Sequence, residues 1–167
     1  MKLFSANIED LRTLYFNTLQ KALDMEEKIT KALPDMIENS TDASLSSALR
    51  THLEETRGHV RKVEKLLQQN TGTAEAETCK VIDGLVTEAS DTIKDVTDPS
   101  ILDIALIGAA QQVEHHEIAV YGTLQCWAEI LGLAEDVSVL QAIEGEEVNA
   151  DNILTGIAKR VNVQVAA

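Results

Sequence analysis

Val113-Glu114-His115-His116-Glu117-Ile118-Ala119 is the stretch that decides the fold. It lies within a long apolar run from about Ser100 to Leu131, where Leu106, Ala110, Val113, Leu124, Ala128 and Leu131 recur at helical spacing. Glu114 and Glu117 are three residues apart, so they share one helix face. At ~100° per residue, Glu117 falls near Leu106 and Leu124, which is a core position. Glu114 takes the shoulder beside it, together with Tyr121. A carboxylate in a core is costly unless it is paired, protonated or bound to a cation.

The same anomaly recurs in three other segments. Glu26 is in line with Ile8 and Leu33. Glu147 lies near Leu140 and Ala158, with Asp151 and Glu144 on its shoulder. Glu55 stands at the edge of its stripe between His52 and His59, in His52-Leu53-Glu54-Glu55-Thr56-Arg57-Gly58-His59. Glu54 points away. Acids from four helices therefore aim at one interior.

Five helices are expected, over about 5–38, 42–69, 74–95, 100–131 and 134–161. Pro34 is expected to interrupt the first near its end. Asn39-Ser40-Thr41-Asp42 is a turn and cap cluster, and Gly132 is a natural helix stop. Thr97-Asp98-Pro99-Ser100 is a break with Pro99 suited to a helix start. The fold class is all-α, one domain over 1–167. Residues 70–99 are long enough to cross a bundle and carry a helix of their own. One such crossover between two helical hairpins is the ferritin-like four-helix arrangement.

Height supports convergence. Positions 26 and 55 have their midpoint at 40.5, at the first hairpin turn. Positions 117 and 147 centre on 132, and 114 and 151 on 132.5, at the second turn. Each pair is then level across its hairpin, ~20–30 Å from the turn at ~1.5 Å per residue. Surface acids have no reason to match in this way.

The chemistry of such a cluster is metal binding. The i, i+3 carboxylates of Glu114 and Glu117 can chelate or bridge a cation. His52, Glu55 and His59 offer imidazole, carboxylate and imidazole in series. Oxygen with some nitrogen suits iron or manganese, with zinc as a substitute. Glu26, Glu55, Glu114, Glu117, Glu147 and Asp151 carry six formal negative charges. Two divalent ions offset four of these and two trivalent ions all six, so the site is expected to take two ions and to tolerate a higher oxidation state.

Composition excludes other classes. The formal charge of −14 argues against nucleic acid and against anionic membrane surfaces, both of which need clustered Lys and Arg. Cys79 and Cys126 make no disulfide framework or CxxC, and no run approaches a membrane span. Met1-Lys2-Leu3-Phe4-Ser5 lacks the apolar core of a signal peptide. The expectation is a cytoplasmic protein with reduced thiols.

With Glu26, His52-Leu53-Glu54-Glu55-Thr56 and Val113 to Ala119 in hand, the chain resembles the YciE/YciF family of bacterial ferritin-like proteins. The resemblance spans almost the whole chain and is strongest over Ala48–Gly58 and Ala109–Leu124, which ends Tyr121-Gly122-Thr123-Leu124. It implies a ferritin-like bundle with an additional helix, a carboxylate-rich dinuclear metal site, a homodimer and a link to stress responses. By position it carries metal binding to Glu26, His52, Glu55, Glu114, Glu117, Glu147 and Asp151. The chain departs from the broader ferritin-like pattern of paired E-x-x-H motifs: Glu55 is followed at i+3 by Gly58, and Glu147 by Ala150. This weighs against standard ferroxidase or oxygenase chemistry more than against metal binding.

The competing explanation of the acids, internal salt bridges or a solvated cleft, is disfavoured because few Lys or Arg share the inner faces. His52 and His59 have a second explanation as hydrogen-bonded residues at the core edge. Tyr121 is either a hydrogen-bond partner of a ligand or amphipathic core. Glu144 is a spare acid at the rim. His115 is expected at the surface, and His116 packed near Trp127. The function expected is metal-dependent redox protection acting on a small oxidant, peroxide or oxygen. The alternatives are a non-enzymatic metal-binding stress protein that acts through partners, and iron storage, which requires a hollow shell.

Overall fold

A computed structural model describes residues 8–166 of the chain. Five helices account for nearly all of them: α1 Leu11–Asn39, α2 Ala43–Thr71, α3 Lys80–Asp95, α4 Pro99–Leu131 and α5 Ala134–Ala166. There is no strand among the described residues. α1, α2, α4 and α5 form the four-helix, ferritin-like bundle, and α3 lies outside it against α1 and α4.

Side-chain pairs fix the direction of each rod. α1 and α2 form one antiparallel hairpin, α4 and α5 the other. At the α1–α2 turn, the buried Asp103 of α4 accepts from Thr41 N–H at 2.8 Å, Thr41 Oγ1 at 2.6 Å and Asp42 N–H at 3.0 Å. Arg160 near the end of α5 donates twice to Asp42, both at 2.8 Å. At the opposite end Tyr15 of α1 donates to Asp136 of α5 at 2.8 Å, and Asn70 of α2 donates to the same carboxylate at 3.1 Å. α4 therefore runs antiparallel to α1, and α5 antiparallel to α2. A buried carboxylate satisfied by its neighbours ties each end, because an unpaired one there would be costly.

The helix ends follow local chemistry. The side chain of Asp10 accepts from Thr13 N–H at 2.9 Å and caps α1, which starts later than expected. Ile8, expected on the inner stripe, lies outside the helix and is 38% exposed. Residues 5–7 of that expected helix lie outside the described residues. α1 continues through Pro34 to Asn39 as one helix. Asp42 caps α2 and Asp98 caps α4, with Pro99 at its first position. α4 ends at Gly132 with φ 71°, and Leu133 N–H donates to Ala128 O at 2.9 Å, which is the Schellman pattern.

The expected start of α3 at 74 is not what the fold uses. α3 begins at Lys80 after an extended strap. Glu77 N–H donates to Gln20 O at 3.1 Å, and Cys79 N–H to Asp24 Oδ2 at 2.7 Å. These bonds to α1 take donors that a helix would have used. The strap carries the crossover alongside α1, and Lys28 pairs with Asp83 at 2.5 Å to continue the line. Ile82 and Ala89 of α3 are buried.

The core is aliphatic at both ends of the bundle, with Leu19, Leu23, Leu66, Leu67 and Leu140 at one and Leu45, Leu49, Leu106 and Leu154 at the other. Between them, the interior turns polar.

Candidate metal centre

Glu26, His52, His59, Glu114, Glu117 and Glu147 are all buried at mid-bundle. They come from all four bundle helices: one from α1, two from α2, two from α4 and one from α5. Helical spacing puts them there. His52 and His59 are seven residues apart on α2, two turns on one face, and Glu114 and Glu117 are three apart on α4.

They fall into two groups. His52, Glu114, Glu117 and Glu147 offer ligand atoms that all lie within 4.8 Å of one another. Glu26, His59 and Glu147 form a second group on the same criterion. Glu147 belongs to both, so its carboxylate spans two adjacent positions. His52 Nε2 is 3.4 Å from Glu114 Oε1 and 4.0 Å from Glu117 Oε2, and its Nδ1 is 3.8 Å from Glu147 Oε2. His59 Nδ1 is 2.8 Å from Glu147 Oε1 and 3.6 Å from Glu26 Oε2.

These atoms are close without being hydrogen-bonded. Ten buried side-chain polar atoms lack a hydrogen-bond partner among the described residues, and nine belong to these six residues. Both oxygens of Glu117, both of Glu147 and both nitrogens of His52 are among them. His59 Nδ1 is included as well, although at 2.8 Å it stands within ion-pair distance of Glu147 Oε1. Native interiors satisfy most of their buried polar groups. Lone pairs left over and converging are what a cation needs, so the donor set fits two metal ions.

Electrostatics agree. Burial, reinforced by Glu147, pushes Glu114 up to about 10. Burial likewise pushes Glu117 well above the usual carboxylate range, with Glu147 and Glu26 adding to it. Glu26 is raised by burial although His59 and Tyr121 act against this. Burial alone would lower His59, but Glu147 and Glu26 outweigh it and hold the imidazole up at about 10. His52 is pushed down by burial. Without cations the cluster limits its charge with protons, which metal ions can replace.

The other expected residues take different places. Glu55 is at the mouth, its side chain 32% exposed and its Oε2 3.9 Å from His52 Nδ1. Burial raises its pKa, with help from Glu146 and Glu147. The structure brings it beside the first group, not within it. Asp151 is drawn away, accepting from Gln111 Nε2 at 3.1 Å and standing 3.4 Å from His115 Nδ1. Tyr121 is fully buried and its hydroxyl donates to Glu26 Oε1. His115 is exposed and bonds the Gln111 carbonyl. His116 Nε2 sits 3.8 Å from Cys79 Sγ, the first residue before α3. Glu144 folds over α4, where a Cβ on Gly122 would meet its Oε1 at 2.9 Å.

Sequence reasoning did not find Glu146. Its Oε2 is 2.6 Å from His59 Nε2 and 3.0 Å from Lys62 Nζ, and it is 40% exposed. Burial raises its pKa, but His59 and Lys62 outweigh this and hold it below the usual range. The clue was available: Lys62 is three residues after His59 on α2.

Two routes reach the centre. A cleft of about 530 Å³ between α2 and α5 ends on His52, Glu55 and Glu114. On another side, the His59–Glu146 pair leads to solvent.

Comparison with known proteins gives a consistent family. Residues 10–167 match the model of a domain of unknown function, DUF892. Protein YciF of Escherichia coli K12 is 32% identical over 153 residues, spanning 91% of this chain and 92% of YciF. The crystal structure of the E. coli stress protein YciF superposes with a TM-score of 0.88 at 31% identity, covering 92% of this chain and 98% of that one. YcfI of Rhodopseudomonas palustris matches equally well in TM-score, 0.88, at 38% identity and the same coverage. A Xanthomonas campestris protein at 21% identity shares the fold, with a TM-score of 0.76 over 93% of this chain and 95% of that one. The chain therefore belongs to the DUF892 family and is a YciF-like, ferritin-like helical protein.

Proposed function

We propose that this protein binds two metal ions, iron or manganese, and uses them in redox protection against a peroxide. Glu26, His59 and Glu147 would hold one ion and His52, Glu114, Glu117 and Glu147 the other, and the pair would supply Lewis acidity and one-electron redox changes. The observation that carries this is the set of nine buried polar atoms on six residues that no hydrogen bond satisfies. Oxygen-rich ligation with two imidazoles favours iron or manganese, and zinc can substitute.

The chain's own residues have separable tasks. Tyr121 orients Glu26 by donating to Oε1, which leaves Oε2 free. Glu146 fixes the ring of His59 through Nε2 and so turns Nδ1 inward. The same Glu146 is half exposed and can pass protons between His59 and solvent. The apolar ends of the bundle keep bulk water from the centre. Glu55 stands beside the inner end of the cleft, next to His52.

The likeness to the E. coli stress protein YciF supports a protective role, and a cytoplasmic homodimer is part of the same proposal. The test is metal content and hydrogen peroxide consumption before and after Glu26→Ala. Loss of both supports the proposal. Unchanged metal stoichiometry rules it out. A second function, as a structural rather than catalytic protein, draws support from the structural role put forward for YcfI, and any bound metal would then serve the fold. In that case chelation lowers the unfolding temperature and no peroxide is consumed. Storage of a mineral core would require a shell-sized particle in solution.

A further inference from the structure

We infer that the cleft between α2 and α5 is a binding site for a small neutral organic molecule with an apolar body and an oxygen head group, an organic hydroperoxide or the alcohol derived from it. This narrows the oxidant proposed above, and it rests on the metal-centre proposal only for the choice of head group. The apolar body needs the cleft alone.

The walls explain why there is a cleft. Along α2 the facing side chains are small: Ser44, Ser47, Ala48 and Thr51. Their spacing of three or four residues keeps them on one face, and small residues there leave space that Leu or Ile would fill. Across from them α5 presents Ile153, Leu154 and Ile157. Ile153 is 44% exposed, an apolar side chain with no cover at the rim.

The floor is polar and belongs to the metal centre. His52 and Glu114 close the inner end, and Glu55 flanks it. His52 is only 5% exposed, and neither ring nitrogen has a hydrogen-bond partner. A molecule seated in the cleft thus lies between the aliphatic face of α5 and the small, hydroxyl-bearing face of α2, with the side chains of His52 and Glu114 at its inner end.

Size alone does not select the molecule, because other surface clefts hold about 460, 560 and 450 Å³; this one differs in reaching His52 and Glu114. A two-oxygen molecule needs about two water volumes, roughly 60 Å³. The cleft offers about 530 Å³, within the ~300–1,000 Å³ of small-molecule sites. Charge selects the head group. Glu55, the lining acid that stands outside both ligand groups, disfavours an anionic head. Ligation beside a metal pair takes an oxygen rather than an ammonium.

The probe is 2-phenyl-2-propanol, the redox-inert alcohol of cumene hydroperoxide, titrated into metal-free and zinc-loaded protein and followed by amide NMR. Shifts confined to residues 43–55 and 150–157 and to the surroundings of Glu114 are expected. Ser47→Phe, at an exposed position, and Ala48→Leu should each weaken binding at least tenfold while metal stoichiometry and unfolding temperature stay unchanged. The same variants should weaken displacement of the alcohol by cumene hydroperoxide to the same extent. Absence of shifts, equal binding by both variants, tighter binding of phenylpropionate or phenylethylamine, or a dimer that buries the cleft would each overturn the assignment. Alcohol binding by protein that takes up no metal would uphold the cleft and remove the metal centre instead.

Discussion

Replacing Glu117 by methionine should stabilise the metal-free protein. Glu117 is fully buried, and neither carboxyl oxygen has a hydrogen-bond partner. A buried polar group without a partner costs about 1–3 kcal/mol by mutational measures. Methionine keeps the length and flexibility of the side chain, so it fills the same space without orphan oxygens. The expected gain is about 1–3 kcal/mol. At ~2–4 °C per kcal/mol for a chain of this size, the unfolding midpoint should rise by roughly 2–12 °C in chelator. Metal should offset that gain. An ion at a hundred times its dissociation constant stabilises the wild type by about 2.7 kcal/mol, and Glu117→Met forfeits much of this. The assay is thermal unfolding by circular dichroism, with EDTA and then with manganese or ferrous ion. A residue that serves only packing would behave oppositely: if Glu117→Met lowers the midpoint in EDTA, Glu117 is not a ligand held at a cost to stability.

The metal-free protein should lose stability as pH rises from about 6.5 to 9. Glu114 and His59 are both held up at about 10, so the folded chain keeps protons that the unfolded chain releases above its ordinary values. Their contribution is complete at low pH and is lost as pH climbs toward 10. Unfolding midpoints in chelator at pH 6.5, 8 and 9 check this, and a rising series would refute it. Asp103→Ala removes three hydrogen bonds at the α1–α2 turn and should cost about 1–3 kcal/mol in urea unfolding without altering metal content. Tyr15→Phe at the other end leaves Asp136 with Asn70 as its remaining side-chain partner and should cost a similar amount. Either variant losing metal would mean that the ends and the centre are not independent.

The level of the site was legible in sequence because antiparallel hairpins convert residue number into height linearly. Glu26 does stand level with the middle of α2, and Glu147 with Glu117. Facing was less legible. His52 and His59 straddle Glu55, and a small rotation of α2 turns both imidazoles inward and leaves Glu55 at the mouth. Asp151 has the right height but finds Gln111 on α4, a partner that hydropathy cannot weigh. Glu146 is next to Glu147 in sequence and off the inner stripe of α5, yet its long side chain reaches back to His59. The strap before α3 reads as helix from Ala74-Glu75-Ala76-Glu77. Its hydrogen bonds to Gln20 and Asp24 are tertiary and override that propensity. The contact of Cys79 with His116 depends on where α3 docks, which no pattern within α3 specifies.

Anomalous diffraction at the iron and manganese edges, from crystals of protein purified without chelator, tests the central claim most directly. Two peaks per chain are expected, one on each side of the Glu147 carboxylate, and both should vanish in Glu147→Ala. Crystals with no anomalous density between α1, α2, α4 and α5, or with peaks that survive Glu147→Ala, would contradict the account.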